Sequence, residues 1–450
     1  MLIFSSLRIA KLTISAPCVF PPDVKVPFLN PLVKTSSTHA LHTHSRRVPI
    51  RSPLLILPVR KLPYRTPHYN NQMTKNLTPT VTMTDPKAAF ARHGAELSRA
   101  VQSAAESGVY FDGDNVRRLE AELADYVGTS NAITCASGTD AITIALMALG
   151  LKQGDEVITP SFAPVDIAEA ARLLNIDVVF ADIEPKSLNI DPQDVERKIS
   201  PRTRAIIPVH LFGRMADMAA ILHIARRHNL FVVENAAQAF GSSQSVNGSR
   251  LMAGSVADVG FTSFAPSRNL ECLGDGGALF TNSADIAARI RMICRHGVTQ
   301  SGVSETIGLN SRLDEIQAAV LRVRLRHIDE TLSRRRSAAL AYRKALAAND
   351  FYVLPDYADG HTFNRFTLRV NYGCRDDVRS FLQKRGIESR VLYVPVHNQP
   401  AFAPAAPSLT STVMAASEVL SIPIHGEISP DDVARVATAL NEWEIGGDNR

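Results

Sequence analysis

Between residues 131 and 281, short runs rich in β-branched and apolar residues alternate with stretches of helical spacing. Ala132–Cys135, Glu156–Thr159, Asp177–Ala181, Ala205–Val209, Leu230–Glu234, Phe261–Phe264 and Ala278–Thr281 read as strands. Asp140–Leu149, Val165–Leu174 and Met218–Arg227 read as helices between them. Short β-rich runs separated by helices predict an α/β fold with a mainly parallel sheet covered on both faces. Active sites in such sheets lie at the carboxyl ends of the strands, where loops leave the layer.

Upstream, Ala88–Ser107 carries Phe90, Leu97, Val101 and Ala104 near one helical face, and Val116–Val127 is a second amphipathic helix. Beyond Thr281 the pattern turns helical, with Ala284–His296 and then one long Arg- and Ala-rich stretch, Leu313–Ala348. The carboxyl-terminal part mixes strands at Phe366–Val370 and Val391–Val394 with helices at Asp376–Arg385 and Pro430–Asn441. The expected division is therefore a large α/β domain over 85–330 and a smaller α+β domain over 331–450.

Residues 1–84 have a different texture, with many Pro, Ser and Thr and short apolar pieces interrupted by proline. This composition predicts disorder. Two readings of the segment stay open, an organelle-targeting peptide or an extension upstream of a start at Met83 or Met73. Its charge changes the picture of the whole chain. The net +5 sums a basic extension, with eleven Lys and Arg against the single acid Asp23, and a body with 38 Lys and Arg against 43 acids. The body is thus mildly acidic, which argues against nucleic-acid binding. No apolar run is long enough to span a membrane. Five dispersed cysteines, with no His/Cys spacing suited to zinc, predict neither a disulfide framework nor a metal site and suit a reducing compartment such as the cytoplasm.

Candidate chemistry gathers at strand ends. Cys135-Ala-Ser-Gly-Thr-Asp140 joins a strand to a helix, and free amides and hydroxyls at a helix start form an anion site. Glu234-Asn-Ala-Ala-Gln238 follows another strand. The stretch Phe261 to Gly277 runs from a strand end through Ser267-Arg268-Asn269 to Gly274-Asp-Gly-Gly277, a turn built for close backbone approach. Each segment alone reads equally well as a cap or a loop.

Their order carries more. The Gly-Thr pair, Gly154 to Phe162, Val209 to Gly213, Glu234 to Gln238, the Ser-Arg-Asn-Leu and Gly-Asp-Gly-Gly stretch, Gly308 to Gln317 and Val394-Pro-Val-His-Asn-Gln399 resemble the DegT/DnrJ/StrS family of nucleotide-sugar aminotransferases. These are fold-type I enzymes dependent on pyridoxal 5′-phosphate, and the resemblance runs from about Asp85 to the end. It implies a homodimer with shared sites. Gly138, Thr139 and Ser263 would hold the cofactor phosphate, helped by Asn310 from the partner subunit, and Gln238 would bond the 3′-oxygen. Arg312, Tyr393 and His397 would line the nucleotide-sugar side.

The chain departs from the family at three of its positions. Where active members carry the Schiff-base lysine stands Arg268, and a guanidinium stays protonated and cannot attack a carbonyl. The aspartate that keeps the pyridine nitrogen protonated is Asn235, and the stacking aromatic is Pro164. The resemblance therefore implies a catalytically impaired family member, with pyridoxal or pyridoxamine phosphate bound non-covalently if at all. Such a protein could also pair with an active paralogue. The alternative is an active aminotransferase or pyridoxamine-type dehydratase acting on a nucleotide-linked keto sugar.

Overall fold

The computed structural model describes residues 81–246, 248–299, 301–402 and 408–444. The disorder expected for the amino terminus falls on residues 1–80, outside the described residues. Residues 81–84 belong to the fold: Val81 and Met83 are buried, and Val81 exchanges backbone hydrogen bonds with Gly386 and Glu388.

Three helices open the described chain: α1 (Pro86–Arg92), α2 (Gly94–Glu106) and α3 (Asp114–Val127). The alternation follows as β1 (Asn131–Cys135), α4 (Gly138–Ala148), β2 (Glu156–Pro160), α5 (Asp166–Leu173), β3 (Asp177–Ala181), α6 (Pro192–Lys198), β4 (Thr203–Ile206), α7 (Met218–His228) and β5 (Phe231–Asn235). A hairpin of β6 (Ser243–Val246) and β7 (Ser249–Met252) precedes β8 (Val259–Ser263) and β9 (Gly277–Thr281). Seven strands form one sheet in the order β1-β9-β8-β5-β4-β2-β3, in which β9 alone is antiparallel.

Successive side chains of a strand point to opposite faces, and here both faces are apolar. Ile133, Val157, Ala205, Val233 and Leu279 face α4, α5 and the later helix α8 (Ala284–Ile293). Their neighbours Ala132 and Phe280 face α3, while Ile158, Ile206 and Val232 face α7. Burial on both sides explains why the strands read as continuous apolar runs.

The remaining elements are α9 (Glu315–Arg326), α10 (Ile328–Leu346), β10 (Tyr352–Val353), β11 (Phe366–Val370), α11 (Arg375–Lys384), α12 (Thr410–Glu418), β12 (Val419–Ile422) and α13 (Pro430–Glu442). The three strands make a small antiparallel sheet, packed through Phe366, Leu368 and Ile422 against Tyr342, Leu382 and Leu440.

Three sequence expectations need correction. The helix expected over Ala88–Ser107 breaks at His93, and the long one over Leu313–Ala348 breaks at His327. Both residues leave helical backbone angles, and their rings stack on each other at 3.8 Å, so one contact accompanies both breaks. No strand forms at Val391–Val394. After Arg390 bonds Ser421 the chain turns, Val394 faces solvent, and Tyr393 points inward to Gln238.

Candidate active site at the carboxyl ends of the strands

The site is built first from backbone. Ser137 follows β1 in an extended conformation and its Oγ accepts the Asp140 N–H at 3.0 Å, which starts α4. The first amides of a helix have no intrahelical partner, so Gly138 and Thr139 present theirs outward. A Cβ on Gly138 would lie 2.6 Å from Ser263 Cβ, so the end of β8 rests directly on the start of α4. Behind them Gly277 lets β9 approach, since a Cβ there would lie 2.5 Å from Ser137 O. Ser311 closes the back of this cup: its Oγ donates to Asp140 Oδ2 at 2.6 Å and accepts the Ala136 N–H at 3.1 Å.

Next to the cup lie the ends of β5 and the following turn. Glu234 is fully buried and accepts N–H groups from Gly254, Val256 and Ala257, with the ring of His210 at 2.9 Å. His210 accepts the Ala216 N–H on Nδ1, which leaves Nε2 as the donor to Glu234. This network fixes Asn235, whose Oδ1 accepts the Ala237 N–H at 3.0 Å. Gln238 Oε1 accepts the Phe212 N–H at 3.1 Å, and its Nε2 donates to Tyr393 Oη at 2.9 Å. Phe212 adopts a left-handed backbone with φ 58° and stacks on Tyr393, with ring centroids 6.2 Å apart.

Arg268 follows Ser267, which is itself left-handed at φ 78°. The Nε of Arg268 is buried with no partner among the described residues. Its charge acts on Asp166 and Tyr393. Burial pushes the Asp166 carboxyl above the usual carboxylate range, against the pull of Arg268. Burial likewise raises the Tyr393 phenol, and the Arg268 and Arg365 charges oppose it. The cleft thus brings together Gly138, Thr139 and Ser263 at the cup, and Gln238, Tyr393 and Arg268 beyond it. Pro164 is half-buried two residues before Asp166.

Other expected site residues stand elsewhere. Asn310 is exposed and pairs with Arg295, while its neighbour Ser311 is the one against the cup. The Arg312 guanidinium lies 4.5 Å from the Phe111 ring centroid. His397 is buried with Nδ1 2.6 Å from Ser161 Oγ, and desolvation lowers its pKa. Asp166, Phe212, Ser311 and Arg365 were missed. An acid two residues past Pro164, in an otherwise apolar run, was a signal for the first; the others depend on tertiary placement.

The donor set fits part of a pyridoxal-type group. The cup offers amides and hydroxyls to a phosphate, and the second N–H of Gln238 remains for a ring oxygen. The other end does not fit covalent attachment, because Arg268 has no deprotonated nitrogen to offer and Asn235 is neutral. When bound, such a group supplies an amino carrier and an electron sink; these residues would hold and orient it.

A seven-stranded, mostly parallel sheet with an anion cup at its carboxyl edge and a small antiparallel sheet is the fold of solved pyridoxal-phosphate aminotransferases. The chain belongs to the DegT/DnrJ/EryC1/StrS aminotransferase family, whose sequence model matches residues 92–441. It is 41% identical over 372 residues to dTDP-3-amino-3,4,6-trideoxy-alpha-D-glucose transaminase of Streptomyces venezuelae, covering 81% of this chain and 97% of that protein. It is 38% identical over 371 residues to a protein of Geobacillus stearothermophilus named pleiotropic regulatory protein, covering 81% and 98%. The crystal structure of ntda from Bacillus subtilis with bound cofactor PMP superposes with a TM-score of 0.75 at 27% identity, covering 82% of this chain and 86% of that one. The family is one of pyridoxal or pyridoxamine phosphate-dependent enzymes of amino-sugar biosynthesis.

Proposed function

We propose that the protein binds pyridoxamine or pyridoxal phosphate non-covalently together with a nucleotide-linked sugar, and that it is a catalytically impaired aminotransferase. The observation that carries this reading is Arg268. It occupies the reactive loop with its charge directed to Asp166 and Tyr393, where a neutral amine would be required. Tyr393 is a poor substitute base, because burial holds its phenol above its ordinary pKa. Losing a general base costs about 10² to 10⁴-fold in rate, and Asn235 removes the ring's charge partner as well. Gly138, Thr139, Ser263 and Gln238 remain suited to holding the group.

A homodimer, or a heteromer with an active paralogue, completes this reading. Val109, Tyr110, Phe111, Val303 and Ile307 are exposed. The first three run beside the Asn310–Glu315 segment through the Phe111–Asp314 bridge and the Glu315 to Tyr110 backbone bond. An apolar surface at that place suits a partner whose Asn310 reaches across.

The test uses purified full-length protein. Pyridoxamine phosphate should be retained through desalting, and borohydride treatment with pyridoxal phosphate should fix no adduct. Peptide mapping that finds a reduced adduct on any lysine would overturn the impaired reading.

A further inference from the structure

A cavity of about 680 Å³ lies outside the cleft, between the loops that follow β3 and β4, the β6–β7 hairpin and the turn 358–361. Gly138, Ser263, Gln238 and Arg268 take no part in its wall. Its volume falls within the roughly 300 to 1,000 Å³ of small-molecule sites. Close contacts build the wall. Gly360, at φ 79°, packs so tightly on the hairpin that a Cβ there would lie 2.1 Å from Ser243 O, and the Ser243 N–H donates to Gly360 O at 3.3 Å. Asn189 Nδ2 ties the two loops together, donating to Arg214 O at 3.1 Å and to Met215 O at 3.2 Å.

One polar side chain of this wall is buried and still open to water. His361 is 5% exposed, and its Nδ1 accepts the Phe363 N–H at 2.9 Å, so the proton of the neutral imidazole sits on Nε2. Burial first, and then the Arg214 charge, keep the ring neutral. The Nε2–H has no partner among the described residues, and it is not sealed from solvent as the orphaned Nε atoms of Arg268 and Arg335 are. Gln244 adds further donors: its Oε1 accepts the Met218 N–H at 3.3 Å, which leaves the Nε2 amino group free.

The charges of the wall lean negative. Its arginines are engaged, Arg214 with Asp356 at 3.2 Å and Arg250 with Asp359 at 3.0 Å. Glu184 and Asp217 accept only backbone N–H groups among the described residues, from Ser187 at 2.6 Å and from Ala220 at 3.0 Å. Burial opposes the Glu184 charge, but the N–H groups of Ser187 and Lys186 outweigh it and hold the carboxyl below its ordinary pKa.

We infer that this cavity is a binding site for a small cationic polyol of the amino-sugar type. His361 and Gln244 donate to its hydroxyl oxygens, and Glu184 and Asp217 take its ammonium group. A phosphorylated sugar would set its own negative charge against theirs and is excluded. The site does not depend on whether the cleft is catalytically active.

The full chain is to be titrated calorimetrically with glucosamine, glucose and glucose 6-phosphate at neutral pH, with excess pyridoxamine phosphate to occupy the cleft. Glucosamine should bind saturably and roughly tenfold or more tighter than glucose, the ratio one charge-assisted hydrogen bond supplies, and glucose 6-phosphate should not bind. Gln244→Leu should weaken glucosamine binding roughly fivefold and leave pyridoxamine phosphate affinity unchanged. No saturable binding of glucosamine, equal affinity for glucose, binding of glucose 6-phosphate, or unchanged glucosamine affinity in Gln244→Leu overturns the proposal. If that variant does not fold, native crystals soaked with glucosamine decide: density between His361 and Glu184 supports the site, and a cavity empty of it, even with density in the cleft, refutes it.

Discussion

The two ends of the cleft are made of different materials. The cup is set by backbone: Gly138 against Ser263, Gly277 against Ser137, and the open amides of α4. The other end is set by side chains, with Arg268, Pro164 and Tyr393 on loops, Asn235 at the last position of β5 and Asp166 at the first of α5. A cup made of close approach cannot change without moving strands, whereas a loop side chain can be replaced while the sheet stays as it is. Ancestry is therefore written in the first end and activity in the second.

The largest expected effect comes from attacking the cup. Gly277→Ala places a methyl 2.5 Å from Ser137 O and 3.0 Å from Cys135 Sγ. Gly277 is paired across β9 and β1 with Cys135, so the backbone cannot yield without opening the ladder. Overpacking of this kind costs roughly 1 to 3 kcal/mol. Denaturant unfolding should show that loss, and pyridoxamine phosphate affinity should fall with it. A variant as stable as the native chain would show that the cup is looser than its packing indicates.

Acid should act on the other end. His361 is buried, stacks on Phe363 at 3.8 Å, and its Nδ1 accepts the Phe363 N–H. Burial first, and then the Arg214 charge, lower its pKa to about 3. In the unfolded chain it titrates near 6.5, so between about 6.5 and 3 the unfolded state binds the extra proton. The stability supplied by neutral His361 is full above pH 6.5 and is lost as pH falls, by up to about 1.4 kcal/mol per unit. The segment that follows carries Asn364, which holds Ser267 and Asn269, so acid loosens the loop side. Unfolding between pH 7 and 5 should be steeper for the native chain than for His361→Gln; equal slopes would remove His361 from the account.

The contrast also explains what the sequence made legible. Strands buried on both faces leave continuous apolar runs, so β1 to β5, β8 and β9 could be read within a residue or two, Ala205–Val209 excepted, where β4 ends at Ile206. The short strands β10 and β12, the β6–β7 hairpin, α6 and α12 carry weaker periodicity and were missed. Breaks at His93 and His327 were invisible because the ring contact that accompanies both joins residues far apart in the sequence. The cup was legible because Gly and Ser at a helix start have a backbone reason to be there. The placing of Arg335 and Arg365 was not, because both donate to Asn364 O, and Arg365 to Ser267 Oγ, only once the chain has folded.

The smallest expected effect belongs to the substitution that looks most like a repair. Arg268→Lys restores an amine at the reactive loop, yet Asn235 still cannot keep a ring nitrogen protonated, and Pro164 still offers no aromatic face. The new ammonium would also stand near Asp166, a carboxyl that burial holds above its usual range, and beside Arg365, whose positive charge opposes a second one. Amination of a nucleotide keto sugar, assayed across a panel of amino-acid donors, should stay at the level of the native chain. Combining Arg268→Lys with Asn235→Asp and Pro164→Phe should raise it, since all three losses lie at the same end of the cleft. Robust turnover by Arg268→Lys alone would show that the ring end is intact apart from one side chain, and the division between the two ends would then reduce to a single residue.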